Sequence, residues 1–159
     1  MIEDFSDGAS PGWSFFTDGV MGGVSTGQAV IDSAGGDTFL RLSGAVSTAN
    51  NGGFIQARLT LPERVPDTAR GIEIEVRGNR QTYFVHLRSR ATLLPWQFYQ
   101  APFEAPGDWT IVRLPFSAFE ARGRGLGPGV APESVRSLAL VAYGRDHAAE
   151  VSVRRIGFY

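Results

Sequence analysis

Several groups of residues have the types and spacings that chemistry needs. Gly23-Val24-Ser25-Thr26-Gly27 fits G-x-S-x-G, in which a serine on a tight strand-to-helix turn becomes a nucleophile when an acid and then a histidine follow downstream. Residues Gln28 to Asp32 read as strand, so Ser25 is expected to close the preceding turn instead. Glu73 and Glu75 lie two apart on one strand face, about 6.6 Å along the chain. That is near the roughly 6.5–9.5 Å of inverting glycosidase carboxylates. Such pairs flank a bond from different strands, so a solvated or arginine-paired face is the expectation. His86 and His147 are the only histidines, and cysteine is absent. A transition-metal site would therefore need carboxylates to complete it. A structural calcium in a loop with Asp4, Asp7 or Asp18 would need only carboxylates and carbonyls. The glycines from Gly123 to Gly129 miss the G-x-G-x-x-G spacing, and no P-loop is present. Neither a metal nor another cofactor is expected.

Recognition is a better fit than reaction. Trp96, Phe98 and Gln100 alternate on one strand face, with Gln97, Tyr99 and Phe103 on the other, and Arg77, His86 and Arg88 are expected on one side of a hairpin. Aromatic planes with amide and guanidinium donors suit stacking on a sugar or gripping a partner's backbone. The candidate binding residues are Asp18, Asn51, Arg77, Tyr83, Arg88, Trp96 and Gln100. Trp109, Phe116 and Phe119 are assigned to the core, whereas for Arg77, Tyr83, Arg88 and Gln100 core and surface both stand open. Asp18 and Asn51 either cap turn amides or converge at one end of the fold in a recognition loop.

These side chains need a frame, and the dominant sequence period is two. Ile72, Ile74 and Val76 oppose Glu73, Glu75 and Arg77, and Tyr83, Val85 and Leu87 oppose Phe84, His86 and Arg88, the pattern of half-buried strands. Gly78-Asn79 between them predicts a hairpin. Further strands are expected near 24–31, 37–43, 53–61, 96–103, 109–114, 137–143 and 150–158, with short helical turns at Phe116 to Phe119 and Pro132 to Arg136. The Gly- and Pro-rich stretch from Ala121 to Pro132 is expected to cross the surface irregularly. About nine or ten short strands without intervening helices predict an all-β, two-sheet sandwich of jelly-roll type. Ahead of them, Trp13, Phe15 and Phe16 precede Asp18-Gly19 and Gly22-Gly23. This reads as a sharp, glycine-pinned turn, with Val20 and Met21 buried as a plug beneath it.

Composition bounds the rest. With 159 residues, 43% of them hydrophobic, 20 glycines and 9 prolines, the chain is expected to form one loop-rich globular domain over 1–159. A net charge of −1 gives no general field for nucleic acid or an anionic membrane. No apolar run approaches the roughly 18 residues of a membrane span. All 15 basic residues are arginine, whose planar fork suits carboxylate or phosphate. The acidic start, Met1 to Asp7, has neither a basic nor an apolar leader region, and a cytoplasmic, bacterial-type protein is expected.

Asp18-Gly-Val-Met-Gly-Gly-Val-Ser25 after an aromatic run is similar to the signature of the thirty-kilodalton complex I intermediate-associated protein family. Gly44-Ala45-Val46-Ser47 with Asn51-Gly52-Gly53-Phe54, Arg77-Gly78 leading to Tyr83, Tyr99-Gln100-Ala101 with Phe103, and Trp109 before Leu114-Pro115-Phe116 agree in order. The resemblance implies a galactose-binding-like β-sandwich and an assembly role without an established reaction. Mitochondrial members help build respiratory complex I, but their Arg-rich presequence has no counterpart here. A non-enzymatic module for a protein partner, such as a respiratory or other multisubunit complex, is the leading expectation. A carbohydrate-binding module with a glycan on strand 96–103 is the alternative.

Overall fold

The computed structural model describes residues 4–5, 13–94, 96–127 and 129–159, with the side chains of Met21 and Asn51 outside the description. Eleven strands follow in order: β1 (Trp13–Thr17), β2 (Thr26–Ala34), β3 (Asp37–Val46), β4 (Phe54–Thr60), β5 (Gly71–Gly78), β6 (Thr82–Ser89), β7 (Phe98–Glu104), β8 (Thr110–Pro115), β9 (Glu120–Arg122), β10 (Val135–Tyr143) and β11 (His147–Phe158). They form a six-stranded sheet, β1-β4-β10-β6-β7-β9, and a five-stranded sheet, β2-β3-β11-β5-β8. Every pairing is antiparallel. The all-β sandwich expected from the period of two is what the chain builds. Among the described residues, helix is confined to single 3₁₀ turns, including Phe116–Ala118 and Pro132–Ser134, and no helix is long and apolar enough to cross a membrane.

One core lies between the sheets. Ile72, Ile74 and Val76 enter it from one side, and Tyr83, Val85 and Leu87 from the other. Each buried aliphatic side chain contributes on the order of 1.5–3 kcal/mol. A register shift between Val153 and Arg155 changes the inward set on β11 from Val151 and Val153 to Ile156, as a β-bulge does.

The expected β5–β6 hairpin does not form. β5 pairs with β11 and β8, while β6 pairs with β10 and β7. Residues 79–81 instead carry the chain from one sheet to the other. The crossing is fixed by Asn79 N–H to the Glu150 carbonyl at 3.1 Å, Arg80 N–H to the Ala105 carbonyl at 2.8 Å and Asn79 Nδ2 to the Ala148 carbonyl at 2.8 Å. A Gly-Asn turn between two alternating runs has the same local signature in both cases; pairing to distant strands decides between them.

Two strands were not expected from the sequence. β1 converts the aromatic run into an edge strand on β4, and β9 takes the first residues of the supposed crossover as an edge on β7.

Candidate functional site

The glycine-pinned turn is built around a carboxylate. Asp18 opens a 3₁₀ turn to Met21, Thr17 caps it by accepting from Gly19 N–H, and Gly22 closes it at φ 84°. The Asp18 side chain is fully buried. It accepts from Ser25 N–H at 3.0 Å, Ser25 Oγ–H at 2.6 Å, Gly53 N–H at 2.6 Å and Phe54 N–H at 3.4 Å. Burial alone would push its pKa up. The bonds from Ser25, Gly53 and Phe54 outweigh that and hold the carboxyl below the usual carboxylate range. A Cβ at Gly23 or Gly52 would collide with this carboxyl, so these glycines serve close approach. Asp18 is thus the capping residue of the two readings, joining the 18–25 turn to the start of β4. The Asn51 side chain, the other candidate of this pair, lies outside the described residues.

The catalytic look-alikes resolve into structure. Ser25 donates to Asp18 and accepts from Ser47 N–H at 2.8 Å, and β2 follows it with no helix. Glu73 pairs with Arg113 at 2.8 Å and Glu75 with Arg154 at 2.6 Å, the arginine-paired face expected. Asp4 borders a polar hollow with Asp37, Glu75 and Arg154, where Arg154 supplies the cation. Asp7 lies outside the described residues. Among the described residues, no group of three His, Asp or Glu side chains forms a metal site.

The outer face of the six-stranded sheet holds a cleft of about 760 Å³. Its concavity follows from side-chain size along the strands. Central β10 points Ser137, Ala139 and Val141 outward, pairing with the strands that carry Gln56 and Arg58 on one side and Phe84, His86 and Arg88 on the other. Small residues in the middle row and long ones on the flanks make a trough. Phe16, Phe54, Phe98 and Tyr143 add ring surface, and Val20 and Gly52 bring the Asp18 turn to its edge. Val20, expected as a buried plug, is 74% exposed, because the space beneath the turn is taken by the Asp18 carboxylate and its donors.

His86 anchors the floor. Its ring stacks on Phe98 at 4.0 Å and 11° and meets Tyr143 edge-on at 5.6 Å, while Nε2–H donates to Gln100 Oε1 at 2.9 Å. Burial lowers its pKa to about 4, the Gln100 bond opposes the shift, and Arg58 and Arg122 reinforce it. His86 is therefore neutral at pH 7. Its folded pKa is below its unfolded value of about 6.5, so the unfolded chain binds the extra proton between those values. Stability is expected to fall as pH drops from about 6.5 to about 4, by on the order of 3 kcal/mol. Urea unfolding across that range should show a steeper slope in the wild type than in His86→Gln, the remainder including His147, whose pKa burial also lowers.

Arg88 Nη2 donates to the carbonyls of Thr92 at 3.0 Å and Leu94 at 3.2 Å. Gln97 accepts from Leu94 N–H at 2.9 Å and donates to the Arg124 carbonyl at 2.8 Å. This buried amide fixes the loop on which Trp96, 62% exposed, stands at the rim.

Of the sequence candidates, Arg88, Trp96 and Gln100 come together here, Gln100 through His86. Arg77 does not join them; it lies on the outer face of the other sheet, over the Trp109 ring at 4.7 Å and Phe39 at 5.3 Å. Arg154 also covers Trp109, at 4.6 Å. Trp109 is accordingly a half-buried outer-face ring and not the core residue expected, while Phe119 is buried and Phe116 packs against the core. Tyr83 has no exposed surface to offer a ligand. Its hydroxyl donates to Asn79 Oδ1 and accepts from Glu150 N–H at 2.8 Å. The residues missed were Gln56, Arg58, Arg122 and Tyr143. The signal that could have found Gln56, Arg58 and Tyr143 is alternation along 53–61 and 137–143, which sets them opposite the buried Ile55, Ala57, Leu59, Leu138, Leu140 and Ala142 without bringing them to one face.

The profile of the family described as Complex I intermediate-associated protein 30 matches residues 4–152. No curated protein sequence matches the chain significantly. Among solved structures, the chain is similar to a Family 11 carbohydrate-binding module from Clostridium thermocellum in complex with a β-1,3-1,4-mixed-linked tetrasaccharide. The TM-score is 0.78 and the identity 15%, over 99% of this chain and 93% of that one. It is similar also to a carbohydrate-binding module specific for non-crystalline cellulose, with TM-score 0.61 and 13% identity over 99% and 93%. A third match is an exo-β-agarase, with TM-score 0.65 and 11% identity over all of this chain and 25% of that one. At these identities the likeness is one of fold, the jelly-roll sandwich.

Proposed function

The chain belongs to the Complex I intermediate-associated protein 30 family, and from that premise we propose that it is a non-enzymatic binding module. Its working surface is the cleft over the six-stranded sheet, and its ligand is a segment of a protein partner during assembly of a multisubunit complex. The observation that carries this is the trough itself. Rings and guanidiniums surround an open volume of about 760 Å³, while the one serine of a catalytic pattern is tied to a carboxylate and an amide. Concave, ring-lined sites with a few placed polar groups suit binding. Trp96 at the rim has the character of an interface hot spot.

The second reading is a glycan ligand. It is favoured by a concave, aromatic sheet face on a fold shared with proteins described as carbohydrate-binding modules.

Immobilised wild type and Trp96→Ala, compared for retained proteins by quantitative mass spectrometry and beside an oligosaccharide array, separate the two. The expected result is protein retention weakened by about 2 kcal/mol, roughly thirtyfold, in Trp96→Ala, with the array blank. Sugar binding in the wild type that Trp96→Ala abolishes would replace the first reading by the second.

A further inference from the structure

We propose that the occupant of the cleft is an acidic peptide segment, whose carboxylates meet Arg58 and Arg122 while an apolar side chain between them lies on the rings and the rim. This deepens the protein-binding reading and rests on it.

Arg58, Arg88 and Arg122 line the cleft, and among the described residues no aspartate or glutamate does. On the opposite outer face three arginines meet carboxylates, while Arg77 there rests on rings. Arg41 meets Asp32 at 3.1 Å, Arg113 meets Glu73 at 2.8 Å, and Arg154 meets both Glu75 and Asp37. On the cleft side, Arg58 has no carboxylate within ion-pair distance among the described residues. It lies over the Phe16 ring at 4.6 Å and makes a long contact, 3.5 Å, to Gln56 Oε1. Arg122 reaches Glu120 only at 3.5 Å, with both side chains mostly exposed, a pairing that water and salt weaken easily.

Burial, and then the like charge of Arg88, lower the pKa of Arg58. An incoming anion offsets both effects by its charge, and a guanidinium fork presents two parallel N–H donors to a carboxylate. His86 adds no charge on the floor at neutral pH and is held by Gln100.

A neutral glycan presents many hydroxyl donors, and burying them without acceptors is costly. Among the described residues the cleft's side-chain acceptors are few, Gln56 Oε1 and Ser137 Oγ among them, and none is a carboxylate. Val20 and Trp96 on the lining, with Leu93 and Leu94 just before Trp96, are exposed large apolar side chains. They match aliphatic or aromatic side chains of a peptide better than the edge of an acidic sugar.

Selection of random dodecapeptides displayed on phage against the full chain tests this. The expected result is enrichment of peptides carrying aspartate or glutamate around an aromatic or aliphatic residue. A synthetic copy of an enriched peptide should lose roughly tenfold in affinity when its acids become amides, and again in Arg58→Gln and Arg122→Gln. Binding should also weaken as salt rises from about 0.05 to about 0.5 M. Arg122 is surface-exposed, so Arg122→Gln keeps the test decisive if Arg58→Gln fails to fold by circular dichroism. Enrichment of neutral or basic peptides that Trp96→Ala abolishes would overturn the acidic inference and leave the protein-binding reading in place. Binding of hexagalacturonate without peptide enrichment would overturn the peptide while keeping an anionic ligand. Binding of the neutral mixed-linked tetrasaccharide alone, or no binding of any of these probes, would overturn both the acidic peptide and the protein-binding reading.

Discussion

Asp18→Ala is expected to lower the free energy of unfolding by about 3–5 kcal/mol, because it leaves several buried donors without an acceptor at once. The carboxylate receives Ser25 N–H and Oγ–H, Gly53 N–H and Phe54 N–H, and each lost charge-assisted bond removes on the order of 1.5–3 kcal/mol before relaxation. Water entering the gap recovers part of this, which sets the estimate below the sum. Asp18→Asn should cost nearly as much, since it removes the charge and turns an NH₂ group toward donors. Gly23→Ala and Gly52→Ala approach the same site from outside, for a Cβ at either position collides with the carboxyl. They should be destabilising by a comparable amount. The pH dependence has a fixed sign: the folded pKa is depressed, so the stabilisation is present above the ordinary aspartate value of about 3.9 and is lost as pH falls through the folded one. Urea midpoints at unchanged m-value measure the loss. A shift of under about 1 kcal/mol for Asp18→Ala would show that the turn is held by other contacts.

That same carboxylate explains which parts of the sequence were legible. The resemblance rested in part on Asp18 to Ser25, Ser47, Gly52-Gly53-Phe54, Arg77-Gly78 and Tyr83, and several of these residues hold backbone together. Ser25 ties Asp18 to Ser47, and a Cβ on Gly78 would strike Ala105 and the Glu150 carbonyl. A motif made of such residues identifies a fold with little regard to ligand, so the cleft had to come from elsewhere. Alternation gave the inward and outward faces of β5 and β6 correctly, because the pleat fixes them. It could not say that β5 and β6 lie in different sheets, since that depends on β11 and β10, which arrive at the end of the chain. Arg77 and Arg88 were therefore put on one side when the whole sandwich separates them. Val20 and Trp109 failed for a different reason. Both were buried on the strength of being apolar, yet much of any folded surface is apolar. Trp109 is stabilised on an outer face by Arg77 and Arg154 instead.

Tyr83→Ala is expected to cost about 3–5 kcal/mol, and Tyr83→Phe about 1–3 kcal/mol, with neither substitution touching the cleft. The ring is fully buried and packs on Phe103 at 6.2 Å, so truncation opens a cavity in the middle of the core. The hydroxyl has a separate task. It accepts from Glu150 N–H at 2.8 Å and donates to Asn79 Oδ1, and Asn79 in turn donates to the Ala148 carbonyl at 2.8 Å. One phenol thus joins β6 of one sheet to β11 of the other, at the point where residues 79–81 cross between them. Burial pushes its pKa up, which keeps it protonated and able to donate. In Tyr83→Phe the ring stays and Glu150 N–H is left without its acceptor, so the loss isolates the hydroxyl. Denaturant unfolding gives the two stabilities. Binding of a peptide enriched against the wild type, measured on folded Tyr83→Phe, should be unchanged within about twofold, roughly 0.4 kcal/mol. A tenfold loss of binding with stability intact would return Tyr83 to the recognition surface and refute its assignment to the core.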